Sequence, residues 1–304
     1  MTDSSAAADL ATCGTDSAFE SMPRIGAVTY LNSKPLIEGL AERIAPASLT
    51  LDYPSHLAGD LAAGHLDVAL VPSFSALGGL CDRTAWLLSD ACVAARGPVR
   101  SVQLLCRCNP GSIRTLALDE GSRTSAALSR IILAMRYGVE PTTVPFPLES
   151  PTEACDADAI LMIGDRAMHP PAGERFVEAH DLGALWKQWT GLPFVFAVWA
   201  SRHATVPPDW VAALESSRDA GLDRIDAIAG REASGVGVSE AEAATYLRRN
   251  LHFTLGGAER EGLALFAELA VECGLLSSEP PLRFAREGEP STACRRAERE
   301  PVAV

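Results

Sequence analysis

Hydroxyl side chains cluster where one predicted strand gives way to a predicted helix. Ser122, Thr124 and Ser125 follow the apolar run Leu116–Asp119 and precede a helix expected over Ala126–Tyr137. The first N–H groups of a helix have no partner inside the helix, and the helix dipole favours negative charge there. The turn therefore predicts a binding site for a carboxylate or phosphate. Simple N-capping by Ser122 is the alternative explanation.

A second turn earlier in the chain has the same character. Tyr30, Asn32 and Ser33 follow a short apolar strand that ends at Val28, and Pro35 stands where the first turn of a helix tolerates proline. Two polar strand-to-helix turns, far apart in sequence, predict two lobes that close on one small acidic molecule.

Composition limits what this molecule can bind. The chain has 304 residues and a formal net charge of −13. A nucleic-acid surface needs clustered Lys and Arg, so we expect no nucleic-acid partner. No run of about 18 apolar residues is present, so we expect no membrane partner either. Any anion site must be local and built from hydroxyls, amides and helix ends.

The cysteines and the first residues of the chain indicate the cellular compartment of the protein. The eight Cys residues form no CxxC pair, so we predict free thiols in a reducing cytoplasm and no metal site. Residues 1–22 contain Asp and Ser but no basic start and no apolar core, so we expect a disordered leader rather than a secretory signal.

Strands and helices alternate through the first third of the chain. Apolar strands predicted over 24–28, 49–53 and 66–71 are separated by helical stretches, a pattern typical of a parallel α/β sheet. Ligands of such sheets bind beyond the carboxyl ends of the strands. The polar residues at those ends are Tyr30, Asn32, Ser33 and Ser73.

The remaining chain predicts a discontinuous domain arrangement. The strand-like run 99–106, which contains Ser101, should carry the chain to a second lobe, and Phe194–Trp199 should return it. The apolar strand 159–163 ends in Gly164 and Asp165, another polar strand end. We expect lobe 1 over 23–103 plus 199–276, lobe 2 over 104–198, a helical C-terminal segment packed on lobe 1, and a flexible tail over 277–304.

Several of these segments together resemble a known family. From Arg24 to about Leu275, the chain is similar to the chorismate dehydratase family of the futalosine route to menaquinone. The segments that carry the resemblance are Tyr30–Leu36, Leu66–Ser73, Leu118–Asp119 with Ser122–Ser125, Ile163–Asp165, and Thr190–Ala197. The resemblance implies a fold similar to type II periplasmic binding proteins: two α/β lobes with a cleft between them. It implies no cofactor, and monomer and homodimer both stay open.

The resemblance also implies a reaction, the loss of water from chorismate to give 3-[(1-carboxyvinyl)oxy]benzoate. It assigns Asn32 and Ser101 to the reacting ring or its leaving hydroxyl. Asp165 is the candidate side-chain acid or base, although it could instead orient its own loop, and a substrate carboxylate could take the proton. The expected substrate-binding residues are Tyr30, Ser33, Ser73, Ser122, Thr124, Ser125, Gly164 and Thr190.

Two other functions stay open. A non-catalytic sensor of small acids could use the same scaffold, since a fold does not fix a function. A sister enzyme of the same pathway forms 1,4-dihydroxy-6-naphthoate, but its amino-terminal turn contains a Ser-Pro-Cys-Pro-Asn type of sequence. The segment Tyr30–Ser33 favours the dehydratase.

Overall fold

The computed structural model describes residues 23–44, 49–78, 85–169, 171, 176–278 and 280–287. The strands are β1 Ile25–Val28, β2 Leu49–Asp52, β3 Val68–Pro72, β4 Trp86–Ala95, β5 Val102–Cys106, β6 Thr115–Asp119, β7 Thr142–Phe146, β8 Ala159–Ile163, β9 Glu178–Asp181, β10 Phe194–Ser201, β11 Thr205–Val206, β12 His252–Thr254 and β13 Arg286–Glu287. The α-helices are α1 Leu40–Arg43, α2 Pro54–Ala63, α3 Ser73–Leu77, α4 Arg123–Tyr137, α5 Leu182–Thr190, α6 Pro208–Asp223, α7 Ile225–Glu232, α8 Glu240–Thr245 and α9 Gly257–Glu272.

Two mixed sheets form the centres of two lobes. The first lobe contains a six-stranded sheet in the order β12-β4-β10-β3-β1-β2, and the second lobe a five-stranded sheet in the order β7-β6-β8-β5-β9. In the first sheet β1 pairs in parallel with β2 and β3, whereas β10 runs antiparallel to β3 and β4. Strands β1, β3 and β8 are buried along their whole length, as expected for sheets covered on both faces.

The helical C-terminal segment packs on the first lobe at two close backbone contacts. A Cβ added at Gly221 in α6 would lie 2.0 Å from the Pro35 carbonyl oxygen, and one at Gly262 in α9 would lie 2.1 Å from the Pro193 carbonyl oxygen. Neither position can accept a larger residue without moving a helix. The two-lobed α/β architecture with its C-terminal helical segment on lobe 1 is therefore the fold predicted from the sequence.

An aromatic cluster joins the two lobes. The ring of Trp186 in α5 lies 5.1 Å from Phe194 and 6.3 Å from Phe266, both at steep angles. Such edge-to-face pairs contribute beyond their buried area. Trp186 thus has a packing role between the lobes.

The first polar turn differs from the prediction. Instead of the helix expected from Pro35 onward, residues Leu31–Ile37 form a 3-10 helix, and only the short α1 follows. Gly39 between them has φ +68°, a left-handed conformation that ends regular helix. Asn32 therefore sits in a tight 3-10 turn and not at the N-terminus of an α-helix. The helix α4, by contrast, begins at Arg123, three residues before its predicted start.

The lobe boundaries expected at 103/104 and 198/199 fall inside strands. All of β5 belongs to the second sheet and all of β10 to the first, so the sheets change before Val102 and before Phe194. Part of the expected tail contacts the first lobe: β13 pairs with β11, and Leu87 in β4 donates its N–H to the Arg283 carbonyl at 2.8 Å. The expected leader, the segment 45–48 and residues 288–304 lie outside the described residues.

Within the described part of the chain, no helix combines the length and apolar character needed to cross a membrane.

Candidate active site

A cavity lies between the lobes. Its lining comes from the carboxyl ends of β1, β3 and β8, the turn before β5, the start of α4, and strands β4 and β10. The lining residues are Val28, Tyr30, Asn32, Pro54, Pro72, Val93, Val99, Ser101, Val102, Ser122, Ser125, Ile163, Gly164, Phe196 and Ala197.

The start of α4 supplies two hydroxyls to this cavity. Ser122 caps the helix by accepting the Ser125 N–H at 3.2 Å, and its own hydroxyl donates to Ser125 Oγ at 3.2 Å. The Ser125 hydroxyl is left free to donate toward the cavity. Ser122 thus caps the helix, as the alternative explanation expected, and of the two hydroxyls that of Ser125 can donate to an anionic ligand.

Tyr30 reaches from the first lobe into the second. A Cβ added at Gly164 would lie 2.7 Å from the Tyr30 ring, and one at Gly121 would lie 3.0 Å from its hydroxyl. Gly164 has φ +71°, so both its conformation and its contact with the ring require glycine. Burial raises the pKa of Tyr30, so the phenol stays protonated at neutral pH.

A strained turn presents Ser101 to the cavity. Arg100 has φ +63°, and the Ser101 N–H donates to the Val99 carbonyl at 2.8 Å, which closes a three-residue turn. The carboxylate of Asp181 holds this turn by accepting the N–H of Val99 at 3.0 Å and of Arg100 at 2.6 Å. The Ser101 carbonyl accepts the Gly164 N–H at 2.9 Å, so the backbone of Ser101 is fixed on both sides.

Sequence reasoning missed Tyr246, which lies behind Ser101. Its hydroxyl donates to Ser101 Oγ at 2.8 Å, and its side chain is fully buried. Tyr246 begins the π-helical turn Tyr246–Asn250 that follows α8. No local motif marks it, because its partner lies 145 positions away in the chain.

Four of the expected binding residues lie outside the lining, with their hydroxyls committed elsewhere. Ser33 donates to the Val28 and Tyr30 carbonyls, and Thr190 donates to the Trp186 carbonyl at 2.9 Å. Ser73 and Thr124 meet between the lobes, where Ser73 donates to the Val195 carbonyl at 2.7 Å. Thr124 Oγ1 accepts the Phe74 N–H at 3.0 Å. These hydroxyls hold the walls of the site together.

Asp165 also lies outside the lining and links the two lobes. Its two carboxylate oxygens lie 3.2 and 3.3 Å from the Leu31 nitrogen, whose N–H they accept. Burial raises the pKa of Asp165 to about 6, while the Leu31 N–H and the nearby Lys34 oppose the rise. The carboxylate is thus engaged with the backbone of the opposite lobe.

No charged side chain of the described chain lines the cavity. Its polar side chains are the hydroxyls of Tyr30, Ser101, Ser122 and Ser125 and the amide of Asn32, and all of its other lining residues are apolar or glycine. Such groups can orient an anion through hydrogen bonds and can donate to a leaving oxygen. Among the described residues, no group of three His, Cys, Asp or Glu side chains could hold a metal ion.

A profile of the menaquinone biosynthesis family matches residues 23–272. The chain belongs to this menaquinone biosynthesis family. The match confirms the family predicted from the motifs. A curated relative, the chorismate dehydratase of Thermus thermophilus, is 34% identical over 261 residues, which span 80% of this chain and 93% of the relative.

Comparison with solved structures shows that this chain has a fold similar to that of periplasmic binding proteins. A protein from Archaeoglobus fulgidus matches with a TM-score of 0.68 at 14% identity, over 84% of this chain and 98% of that one. The aliphatic sulphonate binding protein SsuA of Escherichia coli matches with a TM-score of 0.57 at 13% identity, over 88% and 92% of the two chains. These likenesses confirm the predicted fold.

Proposed function

We propose that this family member is a hydro-lyase that removes water from chorismate to give 3-[(1-carboxyvinyl)oxy]benzoate. The observation that carries the proposal is the cavity lined by uncharged side chains, in which hydroxyls of both lobes and the Asn32 amide converge. The similarity to a chorismate dehydratase over 80% of the chain supports this substrate.

The reaction requires loss of a proton from ring carbon C3 and of hydroxide from C4. The C3 hydrogen is acidified through the conjugated diene by the ring carboxylate, and the electrons of the C3–H bond form the new ring double bond as the C4–O bond breaks. The ring becomes aromatic, so the chemistry is favourable once started. The protein must select this elimination over competing rearrangement by fixing one conformer and excluding water.

A carboxylate of the substrate is the proton acceptor in this proposal. The lining offers hydroxyls and an amide, and the pKa of Tyr30 is raised by burial, so its phenolate is not populated at neutral pH. The enolpyruvyl group is bonded to C3 through the ether oxygen, so its carboxylate can reach the C3 hydrogen within the same molecule. Asp165 then serves to join the lobes through Leu31 and not as the acid or base.

Asn32 and Ser101 act on the departing hydroxyl. Asn32 comes from the 3-10 turn of the first lobe and Ser101 from the turn that leads to the second. A donated hydrogen bond stabilises negative charge as it develops on the leaving oxygen, which is a large effect in a water-poor site.

The start of α4 holds a substrate carboxylate. Ser122 and Ser125 face the cavity. The start of the helix also carries its first N–H groups and the positive end of its dipole, both of which favour an anion. Binding through neutral donors suits a chain of net charge −13, which does not attract anions from a distance.

Incubation of the purified protein with chorismate tests the proposal. The expected result is loss of the chorismate diene absorbance and formation of an aromatic acid lighter by one water, identified by mass spectrometry. Tight binding of chorismate with unchanged absorbance would instead favour a sensor. Turnover of the cyclic futalosine-derived substrate alone would favour the naphthoate-forming enzyme.

A further inference from the structure

The C-terminal helical segment reaches the cavity wall at one side chain. Tyr246 stands where α8 changes to a π-helical turn, an irregularity often found at functional sites. Its ring is fully buried among core residues, and its hydroxyl ends at Ser101 Oγ, 2.8 Å away. The contact joins a helix of the first lobe to the turn that presents Ser101.

The hydroxyl of Tyr246 is the donor in its contact with Ser101. Burial raises its pKa well above the usual range, and its hydrogen bonds with the Ser101 and Asn32 side chains lower the pKa by less. The phenol is therefore protonated at neutral pH. Since a serine hydroxyl carries one proton and two lone pairs, Ser101 accepts from Tyr246 and keeps its own proton for another partner.

The proton of Ser101 has no acceptor among the described residues, and Ser101 lines the cavity. Its N–H is occupied by the Val99 carbonyl and its carbonyl by the Gly164 N–H. The hydroxyl is therefore the only polar part of Ser101 left for a ligand. With one lone pair held by Tyr246, the hydroxyl has a restricted set of orientations in which it donates into the cavity.

We propose that Tyr246 is a positioning residue that fixes the Ser101 hydroxyl as a hydrogen-bond donor to the leaving oxygen of the substrate. The inference rests on the proposed dehydration of chorismate. Because the contact acts on the developing charge and not on the bound carboxylates, its loss affects turnover more than substrate binding.

Tyr246→Phe removes the hydroxyl and keeps the buried ring. We expect kcat to fall about 10-fold or more, the effect of one lost hydrogen bond on a group in the transition state, with KM within about threefold of wild type. Tyr137→Phe is the matched control, since this half-buried tyrosine lies in α4 away from the cavity lining. It should leave kcat and KM unchanged.

A double-mutant cycle separates positioning from general loosening of the core. In a Ser101→Ala background, measured with enzyme in excess, Tyr246→Phe should lower the rate less than about twofold, because the group through which it acts is gone. The inference is overturned if Tyr246→Phe keeps kcat within twofold of wild type, or if its effect is fully additive with Ser101→Ala. If the wild-type protein does not convert chorismate at all, the proposed function is wrong, and the inference that rests on it is wrong as well.

Discussion

Replacing Asp165 with Asn should stabilise the protein at neutral pH and leave turnover nearly intact. Asp165 accepts the Leu31 N–H from the opposite lobe and is mostly withdrawn from water, which raises its pKa to about 6. Asn has the same shape and keeps an oxygen that can accept this N–H. The substitution therefore removes the buried charge without opening the contact between the lobes.

The sign and size of the effect follow from proton linkage. An Asp side chain in water ordinarily has a pKa of 3.8 and the folded value is about 6, so between about pH 4 and 6 the folded state holds a proton that the unfolded state has released. Stability contributed by this group is thus lost as the pH rises through that window. A pKa shift of about two units corresponds to a loss of roughly 3 kcal/mol in the free energy of unfolding. Partial contact of the carboxylate with water reduces this loss to about 1–2 kcal/mol.

Urea unfolding of wild type and Asp165→Asn at pH 4.5 and 7.5 measures the effect. The gain of the variant over wild type should be about 1–2 kcal/mol larger at pH 7.5 than at pH 4.5. Asp158→Asn is a control of opposite sign, because the N–H groups of Arg114 and Thr115 lower the pKa of that carboxyl, so its loss destabilises at neutral pH. An equal gain at both pH values, or a kcat reduced more than 100-fold, would refute our view of Asp165 as a lobe contact.

Three further substitutions test the walls of the site. Asn32→Ala should lower kcat about 100-fold, as for loss of one transition-state donor, with little change in melting temperature; equal losses of activity and stability would contradict this. Ser122→Ala with Ser125→Ala should weaken substrate binding by about 1–3 kcal/mol in calorimetry, and unchanged affinity would exclude the anion role. Thr124→Val should cost about 1–3 kcal/mol of unfolding free energy, since it leaves the Phe74 N–H unpaired, whereas Thr143→Val on exposed β7 should cost little.

The sequence predicts where polar residues gather but not the direction in which each side chain points. Ser122 and Ser125 are three positions apart, so they share one face at the start of α4, and both line the cavity. Thr124 lies on another face and meets Phe74 of the first lobe. In the 3-10 turn, Asn32 reaches the cavity while its neighbour Ser33 turns back to the Val28 carbonyl. Adjacent residues of one motif thus serve different purposes.

Contacts between distant segments are the part that sequence reasoning could not supply. The bond between Asp165 and Leu31 spans 134 positions and that between Tyr246 and Ser101 spans 145. Neither partner carries a local signature of the contact, because a tyrosine in a helix or an aspartate after a strand has the same sequence surroundings whether or not it crosses the cleft. Only the folded arrangement of these distant segments brings the groups together.

The uncharged lining of the cavity bears directly on the proposed chemistry. A carboxylate that leaves water for an uncharged site becomes a stronger base, because burial disfavours its charged form, whereas a nearby cation would make it a weaker one. The hydroxyl of Ser125, which Ser122 holds in place, can orient a substrate carboxylate without supplying that cation. An arginine or lysine in their place would bind the dianion more tightly, yet would lower the basicity on which substrate-assisted proton removal depends. Weak, directional binding by hydroxyls is therefore what this reaction requires, since it favours the transition state over the bound substrate.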